Sequence, residues 1–338
     1  MKTIDTTPLS ILDLVTYREG GSIPEALAAS RTLAQRAETL GYRRFWLAEH
    51  HNLEGIASSA TVVLMAYIAA NTTTIRVGSG GIMLPNHAPL VVAEQIGTLE
   101  SLYPGRIDLG LGRAPGTDPT TMRALRRHLA AEEFDSQVAE LLSYLAPADE
   151  GQRVKAIPGA GIDVPLWILG SSTWSAHFAA AIGRPYAFAA HFAPADLMEA
   201  LAIYRREFKP SSALEAPHVM VGVPAFAAES DEKAEFLATS MIQRSLGILR
   251  GKRAALLPPV ESIHCSEPER MALAERMALF VSGGPARVRD GLQRIVEATR
   301  ADELILVSDA YAPEDRLRSF EILMQAARDT PGRAAKAT

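Results

Sequence analysis

The chain has 338 residues, a net charge of −5, 48% hydrophobic and 22% charged side chains, a balance that suits one large globular domain or two ordinary ones. It carries no basic run suited to nucleic acid, no apolar run long enough to span a membrane, and no basic start with an apolar core like that of a signal peptide. The single cysteine, Cys265, excludes an internal disulfide framework and a cysteine-rich metal site, and with the other features it points to a cytoplasmic protein.

The first strand is expected over 10–14. Ser22 then offers an N-cap and Pro24 suits a first helical turn, and Leu27, Leu33, Ala34, Ala37 and Leu40 form an apolar stripe that stops at Gly41. Phe45-Trp46-Leu47-Ala48-Glu49-His50-His51 follows, an apolar strand ending in ionisable groups. A helix over 59–70 leads to a third strand over 75–85 that contains Gly78, Gly80 and Gly81, a pattern that predicts a bulge or close approach of a ligand. Helix 89–102 closes at Tyr103-Pro104-Gly105, and a fourth strand over 107–112 runs into Arg113.

Residues 117–127 read as polar and loop-like with some helix, and 134–145 as a longer helix. A fifth strand over 164–170 is followed by Ser171-Ser172-Thr173, which are expected to cap the next helix. The sixth strand is expected over 186–190 with a helix over 194–208, and the seventh over 218–227 with a long helix over 231–249. Further helices are expected over 267–279 and 285–299, the eighth strand over 303–308, and a last helix over 313–328. The tail 331–338 has no apolar periodicity and is expected to be frayed.

Eight strand–helix units predict an α/β fold of the (β/α)8 TIM-barrel type, as one domain over 1–330. The surplus length falls after strand seven, at about 228–284, where an insertion can act as a lid. In such barrels chemistry collects at the C-terminal strand ends. Four clusters fall there: Glu49-His50-His51, Gly78-Ser79-Gly80-Gly81, Gly112-Arg113 and Gly170-Ser171-Ser172. They suggest a proton-transfer group, a tight backbone wall and an anion pocket. Arg113 offers a fork of donors for phosphate, and the serines sit at a helix start, where free N–H groups favour an anion.

Trp46 to His51, Val77 to Pro85 and Gly105 to Arg113, in that order and spacing, resemble successive motifs of the bacterial luciferase-like flavin monooxygenases. The resemblance implies a barrel that binds FMN, used as reduced FMN from a separate NAD(P)H:flavin reductase. It implies insertion of one oxygen atom from O2 into a small organic substrate, and a homodimer. By position it implies His50 as the catalytic histidine and Glu49 as a buried acid near the flavin. It places the flavin ring over Ser79, Gly80 and Gly81, with a cis peptide between the glycines, and the phosphate at Arg113, Gly170, Ser171 and Ser172. The stretch 251–265 matches a mobile active-site loop. Light-emitting members carry a cysteine where this chain has Gly112, so luciferase activity is not expected.

Other readings compete. His50 could be a packed core histidine, and the serines could be helix caps alone. Adjacent strand residues point to opposite faces, so Glu49, His50 and His51 together do not suit a metal, and no metal is expected. A deazaflavin-dependent oxidoreductase, a flavin-storage protein and a metal-dependent hydrolase are the alternatives. Met83, Phe192 and Met220 are candidate lining residues and hint at a hydrophobic substrate. His50 is expected to titrate near neutral pH as the acid–base group.

Overall fold

The computed structural model describes residues 2–125 and 133–329. The expected frayed tail and the last two residues of the polar stretch 117–127 lie outside those residues. Eight parallel strands close on one another. They are β1 (Leu9–Asp13), β2 (Arg44–Leu47), β3 (Arg76–Ser79), β5 (Ile107–Gly112), β6 (Leu166–Gly170), β7 (Tyr186–Phe188), β8 (Val219–Ala227) and β10 (Glu303–Val307). Pairing of β10 with both β8 and β1 completes the ring. The (β/α)8 barrel is therefore observed.

The helices between strands follow their end signals. Helix α1 (Ile23–Leu40) starts at a capping box of Ser22 and Glu25 and stops at Gly41, whose φ of 83° suits glycine. Next come α2 (Thr61–Ala70), α3 (Pro89–Leu102), the short α4 (Pro119–Ala124), α5 (Phe134–Leu145), α6 (Thr173–Ala181) and α7 (Leu197–Glu207). After β8 the chain runs through α8 (Asp231–Leu249), α9 (Glu267–Arg276), the short strand β9 (Val281–Gly283) and α10 (Pro285–Thr299), and α11 (Pro313–Arg328) ends the described chain. Strand β9 extends the edge of β8 and was not anticipated. No helix among the described residues is long and apolar enough to cross a membrane.

Strand alternation sorts the side chains into two cores. Phe45, Leu47, Leu304 and Leu306 point outward and pack under the helices. Leu12, Trp46, Ala48, Trp167, Ala187, Met220, Ile305 and Val307 fill the barrel interior. Met220 is fully buried in that plug, so it lines no open pocket, contrary to the expectation. Below the plug, Arg44 bridges Asp108 at 2.7 Å and Glu303 at 2.9 Å, while Arg76 also holds Asp108 at 2.7 Å. Ser10 donates to Glu303, and the Trp46 indole N–H donates to Asp108 at 3.1 Å. Each buried charge therefore has an opposite partner, which offsets its desolvation.

The expected third strand is broken. Strand β3 ends at Ser79, β4 (Ile82–Met83) resumes on the edge of β5, and Leu84–Asn86 make a 3-10 turn. The break falls at Gly80–Gly81, which are joined by a cis peptide. A side chain at any of these glycines would meet protein. A Cβ on Gly78 would lie 2.6 Å from the Trp46 indole nitrogen, and one on Gly80 would lie 2.5 Å from Leu12 Cδ1. The bulge half of the expectation holds. The crowding comes from large side chains crossing the barrel toward a wall without side chains.

Candidate active site

The alternation of β2 continues past its end and divides the Glu49-His50-His51 motif. Phe45 and Leu47 point outward, and Glu49 and His51 follow that parity. Trp46 and Ala48 point inward, and His50 follows them into the barrel mouth.

On the outward side, the Glu49 carboxylate is 1% exposed. It accepts a hydrogen bond from His51 Nε2 at 2.9 Å, from His87 Nε2 at 2.9 Å, from Asn86 Nδ2 at 3.1 Å and from the Met83 backbone N–H at 3.1 Å. Burial pushes this carboxyl up, but the donors from His51, His87 and Asn86 outweigh it and hold it at about 2. Glu49 is thus a fixed anion that ties the ends of β2 and β4 and the turn after β4 together. The ligand atoms of Glu49, His51 and His87 all lie within 4.8 Å of one another. The carboxylate, however, already receives N–H groups from Asn86 and Met83, an arrangement built for an anion among donors. His87 and Asn86 were missed because they fall in the short connection between the expected strand 75–85 and helix 89–102.

On the inward side, His50 keeps partial exposure, yet its Nδ1 is buried without a partner among the described residues. Burial, followed by the positive charge of Arg244, lowers the ring to about 4. The expected titration near neutrality is therefore corrected: at pH 7 His50 is a neutral imidazole. The same parity carries other strand ends inward. His191 follows Ala187 of β7, Asp309 follows Ile305 and Val307 of β10, and Thr16 follows Leu12 of β1. Thr16 Oγ1 donates to Asp309 at 2.8 Å, and Arg244 of α8 forms an ion pair with Asp309. His191 Nδ1 is also buried and unpartnered among the described residues, and it packs where a Cβ on Gly222 would sit.

The anion pocket is assembled from the ends of β5 and β6. The Arg113 guanidinium lies 3.9 Å from the centre of the Trp174 ring, which itself stacks on Phe178 at 5.3 Å. Trp174 is in the first turn of α6, so Arg113 is beside the helix start. The expected serine caps are corrected. Ser172 occupies the N-cap position with extended backbone, but its side chain makes no capping bond. Ser171 and Ser172 hydroxyls have no protein partner among the described residues, and the α6 N–H groups are left without a side-chain acceptor. Gly170 has no Cβ because Ser175 Oγ takes that space; this hydroxyl donates to the Ser172 carbonyl at 2.7 Å. Ser79 lies below, its hydroxyl exchanging hydrogen bonds with the Gly110 backbone at 2.8 and 2.9 Å. Its side chain is therefore structural, and the adjoining Gly80 is half-buried.

The insertion is tied to loops at the C-terminal end of the barrel. The Leu256 N–H donates to Tyr17 O at 3.0 Å and the Glu19 N–H to Leu256 O at 2.8 Å, so the 251–265 stretch is joined to the loop after β1. A second tie is close packing of Ala254 on Gly55.

Residues 8–303 match the model of the luciferase-like monooxygenase family. A luciferase-like monooxygenase of Escherichia coli (strain K12) is 48% identical over 334 residues, covering 98% of this chain and 100% of that protein. An N-acetyl-S-alkylcysteine monooxygenase of Bacillus subtilis (strain 168) is 39% identical over 329 residues, covering 94% and 97%. The crystal structure of apo-MsnO8 superposes with a TM-score of 0.85 at 34% identity, covering 96% and 99%. The chain belongs to the luciferase-like monooxygenase family and is an oxidoreductase of that family.

Proposed function

We propose that the chain is a reduced-FMN-dependent monooxygenase that places one oxygen atom from O2 into a small organic substrate. The observation that carries this reading is the pairing of an α6 start without a side-chain cap, where the Ser171 and Ser172 hydroxyls have no partner among the described residues, and Arg113 at its side. A phosphate fits that donor set: backbone N–H groups and hydroxyls without a side-chain acceptor among the described residues, with a guanidinium beside the same helix start. The residues that would hold FMN are Arg113, Gly170, Ser171 and Ser172 at the phosphate, and the backbone of Ser79, Gly80 and Gly81 at the ring. Bound reduced FMN would supply the two electrons that activate O2.

The protein's own part follows from its charges. His50 is neutral at pH 7 and faces inward with a ring nitrogen that has no partner among the described residues. It can accept a proton or a hydrogen bond from a reacting group there. Glu49, ionised and saturated with donors, does not exchange protons in this range; it positions the backbone that carries His50. The 251–265 stretch excludes water from the mouth. In this reading a separate NAD(P)H:flavin reductase supplies the reduced flavin, and the enzyme works in the cytoplasm as a homodimer. The test is His50→Ala. The variant is expected to bind FMN as the parent does and to lose substrate oxygenation by at least 100-fold. Undiminished turnover would remove His50 from the chemistry.

A further inference from the structure

The inward ring holds more positive charge than the proposed cofactor accounts for. Arg244 is paired with Asp309. Arg276, on α9, is partly buried and has no hydrogen-bond or ion-pair partner among the described residues. Its guanidinium lies 5.1 Å from the centre of the Phe192 ring. Phe192 directly follows His191. The two arginines therefore reach the barrel mouth from different helices, and Asp309 neutralises one of them. His50 and His191, both neutral at pH 7, add no charge and offer no anion.

We infer that Arg276, assisted by Arg244 and His191, forms a carboxylate-binding subsite, so that the substrate is an organic acid. This inference rests on the proposed function, because it takes the mouth as the substrate's side of the flavin. The Arg276 guanidinium lies over the Phe192 ring, a contact that uses none of its N–H donors, and those donors suit a planar two-oxygen anion. Withdrawal of that guanidinium from water, with Arg244 near it, weakens its hold on its proton, as expected of a cation without a counter-charge. An incoming carboxylate would supply that charge. The buried His191 Nδ1 is a second polar atom without a protein partner on the same inward parity. The subsite uses other residues than the proposed phosphate pocket. Arg113 and the serines stand at the ends of β5 and β6, whereas His191 and Asp309 stand at the ends of β7 and β10. The hydrophobic substrate expected from Met83, Phe192 and Met220 thus becomes an acid whose apolar part would meet Phe192.

The probes are hexanoate and its neutral partner hexanamide, with binding measured by calorimetry on the full chain in the presence of saturating reduced FMN under argon. Hexanoate is expected to bind at least tenfold more tightly than hexanamide. Arg276→Met is expected to abolish that preference without changing FMN affinity, and Arg276→Lys to restore part of it. Helix α9 has no buried residue, so these variants keep the core intact. Equal binding of acid and amide, or a preference that survives Arg276→Met, would overturn the subsite. So would a loss of FMN affinity in Arg276→Met with hexanoate binding unchanged, which would assign the arginine to the cofactor. Parent protein that takes up no FMN would instead overturn the proposed function. In that case hexanoate is titrated without flavin, and the same two comparisons decide the subsite.

Discussion

Replacing Glu49 by Gln probes how the reactive strand end is held. The substitution keeps the shape of the side chain and removes its charge. In the folded chain the carboxyl is held at about 2 against an ordinary value of 4.5, a gap that corresponds to roughly 3 kcal/mol in favour of the ionised form. The amide still accepts a hydrogen bond through its oxygen, but its NH2 group meets the donors of His87, Asn86 and Met83. The expected loss is about 2–3 kcal/mol, read as a lower urea midpoint at pH 7.5 with an unchanged slope. The sign with pH follows from a depressed carboxylate. Its contribution is fully present above 4.5 and is lost as pH falls through about 2. The gap between parent and variant must therefore not shrink between pH 7.5 and pH 5.5. A loss below about 0.5 kcal/mol, or a gap that shrinks markedly by pH 5.5, would refute the reasoning.

Two further outcomes follow from the same geometry. His50 and His191 are each lowered from 6.5 to about 4, both by burial first. The unfolded chain therefore binds their protons at higher pH than the folded chain does. Their penalty is absent above about 6.5 and grows as pH falls toward 4, so stability should fall over that window, and less steeply in a His191→Gln variant. Urea midpoints at half-unit pH steps check this; a flat profile would contradict it. Gly78→Ala should cost about 1–3 kcal/mol by overpacking, because its Cβ would lie 2.6 Å from Trp46 Nε1 and 2.7 Å from Asp108 Cβ. Thermal unfolding measures it, and a neutral result would mean that Trp46 can move.

The barrel could be read from the chain because its strands obey a simple alternation and its helices carry strong end signals. Helices α3, α5, α8, α10 and α11 were delimited as expected from proline, glycine and acidic starts. The short β9 left no signal, since three residues are too few to show a period. The candidate site was legible where motif and strand end coincide, as in the placement of His50 and Arg113 at the ends of β2 and β5. Parity along the strands could also have placed His191 and Asp309 inward, had it been extended past each strand end. Arg244 and Arg276 could not be found this way, because helices of the insertion bring them to the mouth over long sequence separations. The role of Glu49 was hidden for the same reason: its partners His87 and Asn86 lie 38 and 37 residues away. The ionisation of His50 depends on burial and on Arg244, neither of which its local sequence contains.

The most direct measurement of the central claim is an anaerobic titration of the full chain with reduced FMN, followed by mixing with oxygenated buffer. The account predicts saturable binding of one reduced FMN per chain and oxidation slower than that of the free flavin in the same buffer. No saturable binding, with oxidation at the rate of free reduced FMN, would contradict it.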